Sequence, residues 1–242
     1  MSQETSGYIL KKNKNSSCYS LQLKGPSKEQ NYVIMVQLVT TIINQIPNSF
    51  YDETTQEILF TAETIKNLSN PNQPNKSNQK PNQNLLSETQ TIQTIQMIQC
   101  LTKQIEYLNR NNLAFYGFDK SDIIVINESI FLIANLNYLY NLDKERNINF
   151  YTPITKPFFS SPEFVSLKHL PAKINYKTNY YSLGALIVYF YLGIHINLSL
   201  ENETKREQPI ESLLKPICYS KIYWFLLRCL KDDPEKRILL FI

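Results

Sequence analysis

The hydrophobic pattern near the start of the chain predicts a small β-rich unit with one helix. Apolar residues flank the polar turn KNKNSS on both sides, so residues 8–10 and 19–23 are predicted to pair as a hairpin. Over residues 31–46 the apolar positions recur at the spacing of a helix. Two further apolar stretches, residues 50–51 and 57–62, predict a second hairpin.

The pattern stops at a polar stretch with the sequence LSNPNQPNKSNQKPNQN, residues 68–84. Such a stretch has almost nothing to bury, and its repeated prolines block a helix, so it is predicted to be a flexible insert. The sequence therefore predicts three parts: a β-rich segment over residues 1–67, the insert over 68–85, and a larger, mainly helical segment over 86–242.

In the mainly helical segment, apolar positions at helical spacing predict a helix over residues 86–109. Two apolar runs, residues 123–126 and 129–136, predict a pair of short strands joined by a turn. Residues 141–178 contain four widely spaced prolines and are predicted to be irregular. A segment of that length is too long for a simple connection, so a functional or surface-docked role is expected. Residues 221–233 predict the last helix.

One segment, residues 180–198, approaches the length of a membrane span. A span needs about 20 mostly apolar residues, and this segment is interrupted by Ser182, His195 and Asn197. A helix that is apolar on all sides and buried in a core is therefore the preferred interpretation. No membrane span is expected.

Composition narrows the classes of function. The apolar fraction of 43% is enough for a core, and the net charge of +4 comes from scattered basic residues, so no nucleic-acid partner is expected. The four cysteines are far apart and the two histidines are not at ligand spacing, which argues against a disulfide framework or a zinc site. The start, MSQETSGYIL, lacks a secretory signal, so a cytoplasmic protein with reduced thiols is expected.

Three short motifs resemble those of eukaryotic-type protein kinases. Ser161-Pro162-Glu163 resembles the A-P-E triplet, residues 179–184 (NYYSLG) resemble D-x-W-S-x-G, and residues 233–237 (DPEKR) resemble D-P-x-x-R. The resemblance implies an α+β, bilobal fold with a reduced, β-rich N-lobe and a larger, mainly α-helical C-lobe. It also implies a structural ion pair between Glu163 and Arg237, because the arginine of the last motif pairs with the glutamate of the first.

The same resemblance places degenerate residues at the catalytic positions. With residues 123–126 as the strand after the catalytic loop, Gly117 stands where the kinase base would be, Asp119 at the lysine position and Asp122 at the magnesium-binding asparagine. Asn135 stands at the aspartate of D-F-G. Glycine offers no base, and a neutral asparagine is a poor ligand for a hard divalent cation.

The nucleotide-binding positions are also altered. Lys24 is the candidate phosphate-binding lysine, but residues 31–46 contain no acidic partner for it, so an ordinary exposed lysine is an equal alternative. Gln22 replaces a small alanine beside adenine, and Gly7 is the match that the glycine-rich loop retains. Binding of ATP and magnesium is expected to be weak or absent, so no cofactor is assigned.

The resemblance therefore predicts a pseudokinase, a catalytically inactive domain that acts as a protein-binding scaffold or regulator. Its partners would be other proteins, with an active kinase as one candidate. A weak ATP-dependent kinase or phosphotransferase that uses Lys24, Asp119 and Asp122 is the alternative from another class. A third interpretation is a relative of the kinase C-lobe alone, which would lack a five-stranded small sheet.

Overall fold

The computed structural model of the protein describes residues 2–5, 7–13, 16–25, 29–68, 87–196 and 210–241. It is a mixed α+β structure with several small sheets. Apart from Leu68, the insert predicted over residues 68–85 lies outside the described residues, as do residues 197–209.

The first part of the chain forms a five-stranded antiparallel sheet in the order β1-β2-β3-β5-β4. The strands are β1 (Ser2–Glu4), β2 (Tyr8–Lys12), β3 (Cys18–Leu23), β4 (Phe50–Asp52) and β5 (Glu57–Thr61). Both predicted hairpins are confirmed, β2 with β3 and β4 with β5. The C-lobe-only interpretation required such a sheet to be absent, so it is not supported.

Helix α1 (Gln30–Ile43) lies between strands β3 and β4 in the chain and buries seven of its side chains. It ends three residues earlier than the apolar spacing predicts. Ile46 nevertheless remains buried in the turn that follows, where backbone bonds join Asn44 to Thr40 and Ile46 to Ile43. The apolar spacing therefore extends beyond the end of the helix, because the turn after it also buries an apolar side chain.

The long helix α2 (Glu88–Arg110) begins at Ser87, whose hydroxyl accepts a hydrogen bond from the Gln90 backbone N–H at 3.1 Å. It packs against the hairpin β9 (Ile123–Ile126) and β10 (Ile130–Ile133), and β6 (Ile65–Asn67) pairs with β9. Gln104 fixes helix to strand, because its amide donates to the Phe131 carbonyl at 2.7 Å and accepts from the Ile133 N–H at 2.9 Å. The predicted helix and strand pair are confirmed.

Helix α4 (Thr178–Leu192) is the buried helix predicted from residues 180–198, and eleven of its fifteen residues are buried. It ends at Gly193, whose φ of 70° is the left-handed value that favours glycine. Helix α6 (Lys221–Cys229) packs against it. Gly184 permits this approach, because a Cβ there would stand 2.9 Å from the Leu230 side chain. Among the helices of the described residues, none has the length and apolar character to cross a membrane.

The prediction that residues 141–178 are irregular is wrong for about half of the segment. Two of its strands, β12 (Asn147–Phe150) and β14 (Ala172–Asn175), pair with each other, and β13 (Phe159–Ser160) pairs with β8 (Gly117–Phe118). The remaining elements are β7 (Leu113–Phe115), β11 (Leu139–Asn141), α3 (Pro162–Val165) and α5 (Ile210–Leu213). A strand of two to four residues is too short to show the apolar alternation from which a strand is predicted.

Candidate functional site

The candidate site lies where the β9–β10 hairpin meets the turn between β1 and β2. Ile123 pairs with Ile133 at the end of the hairpin, and the next backbone bond runs from the Ala134 N–H to the Asp122 carbonyl at 2.9 Å. Asp122, which ends a 3₁₀ turn over Lys120–Asp122, and Asn135 are therefore held side by side. The hairpin register thus brings together two of the positions that the sequence singled out.

Asp122 is almost completely buried, and both of its carboxylate oxygens are engaged. Oδ1 accepts from the side-chain amide of Asn135 at 2.6 Å, and Oδ2 accepts from the backbone N–H of Asp119 at 2.6 Å. Burial raises the pKa of Asp122 to about 7, while these two hydrogen bonds act in the opposite direction. The carboxyl group stabilises a turn and has no oxygen left without a partner.

The carboxylate of Asp119 is also fully used. Oδ1 accepts from the backbone N–H of Phe158 at 2.6 Å, and Oδ2 accepts from the hydroxyl of Tyr138. Burial, together with the Asp119 carboxylate, raises the pKa of Tyr138, so the phenol keeps its proton and remains a donor. Asp119 therefore links the turn over Lys120–Asp122 to the segment that precedes β13.

Lys120, next to Asp119, is held by aromatic side chains. Its Nζ donates to the hydroxyl of Tyr189 at 2.6 Å and lies 4.0 Å from the centre of that ring and 4.3 Å from that of Phe158. A cation over two ring faces is stabilised by their quadrupoles. This role of Lys120 cannot be predicted from the sequence, because neither Tyr189 nor Phe158 lies near it in the chain.

Gly117, which the motif resemblance would align with the kinase base, has no room for a side chain. A Cβ there would stand 2.6 Å from the ring of Pro157 and 2.8 Å from the carbonyl oxygen of Phe159. The reason is the pairing of Gly117 with Ser160, which draws β13 over the β8 backbone. The local packing therefore leaves no room for a carboxylate side chain at position 117.

At the other side of the site, the turn between β1 and β2 rests directly on Asn135. A Cβ on Gly7 would stand 2.7 Å from the Cβ of Asn135 and closer still to its amide group. The Thr5 hydroxyl holds the turn by accepting from the backbone N–H groups of Gly7 at 3.3 Å and Tyr8 at 3.1 Å. Gly7 and Asn135 are therefore in close contact.

Tyr8 extends this closure, and sequence reasoning assigned it only to a strand. Its side chain is fully buried, and its hydroxyl lies 2.8 Å from Oδ1 of Asn67 and 3.3 Å from the carbonyl oxygen of Ser121. Burial raises the pKa of Tyr8 to about 12, so the hydroxyl stays protonated and donates. Position 8 points inward in the strand alternation, and a phenol at an inward position needs a partner; that was the available signal.

Lys24 does not point to an open site. Its Nζ bonds Oε1 of Glu4 at 2.8 Å and the carbonyl oxygen of Thr5 at 2.7 Å, and its backbone N–H bonds the Gly7 carbonyl at 2.8 Å. The hydrogen bond from Lys24 lowers the pKa of the exposed Glu4 carboxyl. The acidic partner that the helix lacks is thus provided by β1, and Lys24 closes the same turn that covers Asn135.

The two residues assigned a structural role meet on the far side of α4. Arg237 is fully buried, and its guanidinium forms a bidentate pair with Glu163, at 2.5 Å to Oε1 and 2.8 Å to Oε2. It also donates to the carbonyl oxygens of Lys231 at 2.7 Å and Asp232 at 3.0 Å. The ion pair expected from the motifs is present.

No protein-family model matches the chain, and no curated protein matches its sequence. The chemistry of the site therefore has to be inferred from its own contacts. Lys24, Asp119 and Asp122 surround it, and each of these three charged groups is bonded to the protein itself.

The structure also contains cavities away from these residues. One of about 260 Å³ is lined by Lys66, Asn67, Ser87 and Phe131 among others, and one of about 460 Å³ lies between helix α1 and the β4–β5 hairpin. Neither is lined by Gly7, Lys24, Asp119, Asp122 or Asn135. In the described part of the chain, no group of three or more His, Cys, Asp or Glu side chains is arranged to hold a metal ion.

Proposed function

We propose that this chain is a degenerate protein-kinase-like domain that acts by binding other proteins and does not transfer phosphate. In this proposal the five-stranded sheet with α1 is a reduced N-lobe, and the part from α2 onward is the C-lobe. The sheet, the buried helix α4 and the Glu163–Arg237 pair support the assignment. Fold alone does not establish activity, so the functional part depends on the site.

The observation that carries the proposal is the closure of the cleft by Tyr8 and Gly7. Under the kinase assignment, a nucleotide would have its phosphates between Gly7 and Asn135, and those residues are in contact. Tyr8 crosses the same cleft and reaches Asn67 and Ser121. A bound triphosphate would have to break both contacts and separate the two lobes.

The chemical groups for phosphoryl transfer are also absent or engaged. Gly117 provides no base, and general-base assistance typically contributes about 10²- to 10⁴-fold in rate. The amide nitrogen of Asn135 donates to Asp122, and its Oδ1 accepts from the Asn137 N–H at 2.9 Å. Phosphoryl transfer depends on a metal ion that neutralises the phosphate charge, and the side-chain groups that would bind that ion already bond to the protein itself.

In this proposal the partners are other proteins, with an active kinase as one candidate, in the reducing environment of the cytoplasm. All four cysteines are free thiols, which supports a reducing compartment such as the cytoplasm. The scaffold or regulator role follows from a stable fold whose catalytic positions are closed.

Thermal unfolding with ATP, with and without magnesium, tests the closed cleft. A ligand that binds the folded state and not the unfolded state stabilises the fold by RT ln(1 + [L]/Kd), and so raises its melting temperature. We expect no metal-dependent rise for the wild-type chain, with an active protein kinase as the positive control. A clear rise that depends on magnesium would overturn the proposal.

One observation favours the alternative of a weak phosphotransferase that uses Lys24, Asp119 and Asp122. Asp122 is a buried carboxyl whose pKa is raised to about 7, and such perturbed groups cluster at functional sites. Incubation with radiolabelled ATP decides between the two, with Asp122→Ala as the test variant and Asp143→Ala as the matched control. Incorporation that Asp122→Ala abolishes and Asp143→Ala retains would establish the alternative.

A further inference from the structure

Three aromatic side chains form an exposed group at the start of helix α6. Tyr219 is 83% exposed and Trp224 is 48% exposed, and Tyr223 lies between them with ring centres 6.5 Å from Tyr219 and 5.0 Å from Trp224. The apolar face of α6, formed by Ile222, Phe225, Leu226 and Cys229, is already buried in the core. Tyr219 and Trp224 are therefore exposed to solvent, while Tyr223 is half-buried and packs against the edge of the core.

The backbone places Tyr219 in this position at a cost. Its φ is 66°, in the left-handed region that a bulky side chain rarely adopts. Ser220, the next residue, accepts from the Tyr223 N–H at 3.1 Å and starts the helix. Such backbone conformations cost about 1 to 3 kcal/mol and persist where the surrounding structure fixes them.

The chain around the three rings carries basic residues and no acidic ones. From residue 212 to residue 231 the sequence contains Lys215, Lys221, Arg228 and Lys231, with no aspartate or glutamate. Within the described residues none of these four groups forms an ion pair, whereas Lys11, Lys24, Lys66 and Lys173 each do. Lys221 and Arg228 are therefore not neutralised by a direct ion pair among the described residues, and the nearest acidic residues in the chain are Glu211 and Asp232.

Lys221, Trp224 and Arg228 follow one another at helical spacing, so they form one ridge along α6. Arg228 is fixed by a hydrogen bond to the Leu240 carbonyl oxygen at 2.7 Å. Tryptophan, tyrosine and arginine are the residues that most often dominate the binding energy of protein interfaces. Arg228 is held in place before any partner arrives, which lowers the entropic cost of ordering its side chain on binding.

We propose that this surface, Tyr219, Lys221, Tyr223, Trp224 and Arg228, binds an acidic peptide segment of a partner protein. Carboxylates of the segment would pair with the basic ridge while apolar side chains pack against the rings. The proposal goes beyond the assignment of a closed cleft and does not depend on it, because the surface lies on a different element from Tyr8 and Asn135.

Two other classes of partner fit the surface less well. The ring planes of Tyr223 and Trp224 are inclined by 74° and those of Tyr219 and Tyr223 by 51°, so successive bases of a single strand could not stack on all three. A membrane-surface helix needs a free apolar face, and that of α6 is buried. An acidic peptide requires neither parallel rings nor a free apolar face.

Trp224 is the one tryptophan of the chain, so its fluorescence reports on this surface alone. The probe is a short peptide selected from a random display library on the wild-type chain. We expect selected peptides to be rich in aspartate and glutamate, and to shift the Trp224 emission to shorter wavelength in a salt-sensitive manner. If no peptide is enriched, or if the enriched peptides are not acidic, the proposal is wrong.

Variants separate this surface from general charge effects. Lys221→Glu with Lys231→Glu should weaken binding of the selected peptide by about tenfold or more, and Trp224→Ala should weaken it similarly in the display assay. The matched controls, Lys144→Glu with Lys168→Glu and Tyr151→Ala, alter exposed residues elsewhere and should leave binding unchanged. Equal loss in test and control variants would overturn the assignment. So would tighter binding of oligothymidylate or of phosphatidylserine vesicles than of the peptide, read by Trp224 emission.

Discussion

The hydroxyl of Tyr8 donates to Oδ1 of Asn67 at 2.8 Å, although the two residues are 59 positions apart in the chain. Tyr8 belongs to the five-stranded sheet, while Asn67 ends β6, which pairs with β9 in the other part of the molecule. A single buried phenol thus joins the first sheet to the hairpin that positions Asp122 and Asn135.

Tyr8→Phe should lower the free energy of unfolding by about 1 kcal/mol, because the ring stays in place and only the hydrogen bond is lost. Tyr8→Ala should cost about 3 to 5 kcal/mol, since it also leaves a cavity. Urea denaturation measures both. Tyr151, which is 76% exposed, provides the matched controls Tyr151→Phe and Tyr151→Ala, for which we expect almost no change. A Tyr8→Phe variant as stable as the wild type would show that the hydroxyl bonds are not made in solution.

The Glu163–Arg237 pair should be one of the most sensitive positions in the chain. Arg237→Met removes the buried guanidinium and leaves Glu163 without its partner, so we expect a loss of about 3 to 5 kcal/mol. The exposed pair Lys11–Glu57 is the control, and Lys11→Met should cost less than about 1 kcal/mol. Chemical denaturation of the two variants in parallel checks the difference. Equal costs would mean that the buried pair does not stabilise the fold beyond an ordinary surface contact.

The sequence predicted the elements whose pattern is local and repeated. The two hairpins, α1 and α2 each show an apolar period over several residues, α4 is a continuous apolar run, and the Glu163–Arg237 pair was expected from short motifs. The contacts that close the site could not be predicted in this way. An inward tyrosine such as Tyr8 indicates that a partner is needed, but Asn67 is chosen by the packing of two distant strands.

Two further differences have physical causes. The resemblance implies an acidic partner for Lys24 on the next helix, whereas its partner is Glu4, on a strand of three residues that is too short to show an alternation. Helical spacing predicts the last helix over residues 221–233, and the helix ends at Cys229. Beyond that end, the carbonyl oxygens of Lys231 and Asp232 accept from the side chain of Arg237. Periodicity alone does not show side-chain contacts of this kind.

Under the proposed kinase-like assignment, a carboxylate placed at position 117 should still not give phosphate transfer. Gly117→Asp would place a Cβ 2.6 Å from Pro157 and 2.8 Å from the Phe159 carbonyl oxygen, so the β8–β13 pairing would have to shift. We expect a destabilisation of about 1 to 3 kcal/mol, typical of overpacking, and no transfer of phosphate from labelled ATP. Gly25→Ala is a milder control, because its Cβ would meet a flexible Tyr32 ring at 3.2 Å. Incorporation of label by Gly117→Asp would show that the cleft opens to nucleotide.

The buried carboxyl of Asp122 should make stability depend on pH in an unusual direction. Its pKa is about 7 in the folded chain, raised by burial, against about 4 for an unfolded aspartate. Between these values the folded state binds a proton that the unfolded state does not, so the contribution of Asp122 to stability falls as pH rises from about 4 to about 7 and then levels off. Asp122→Asn cannot titrate, and its amide can accept only one of the two hydrogen bonds, which adds a constant offset. The difference in unfolding free energy between wild type and Asp122→Asn should therefore decline across that window in urea titrations at several pH values.

Asp143→Asn is the control of opposite sign, because hydrogen bonds lower the pKa of Asp143 and its stabilising effect is lost as pH falls. A difference for Asp122→Asn that stays constant with pH would mean that Asp122 is ionised in the fold throughout, and that its surroundings are wetter than the contacts with Asp119 and Asn135 imply.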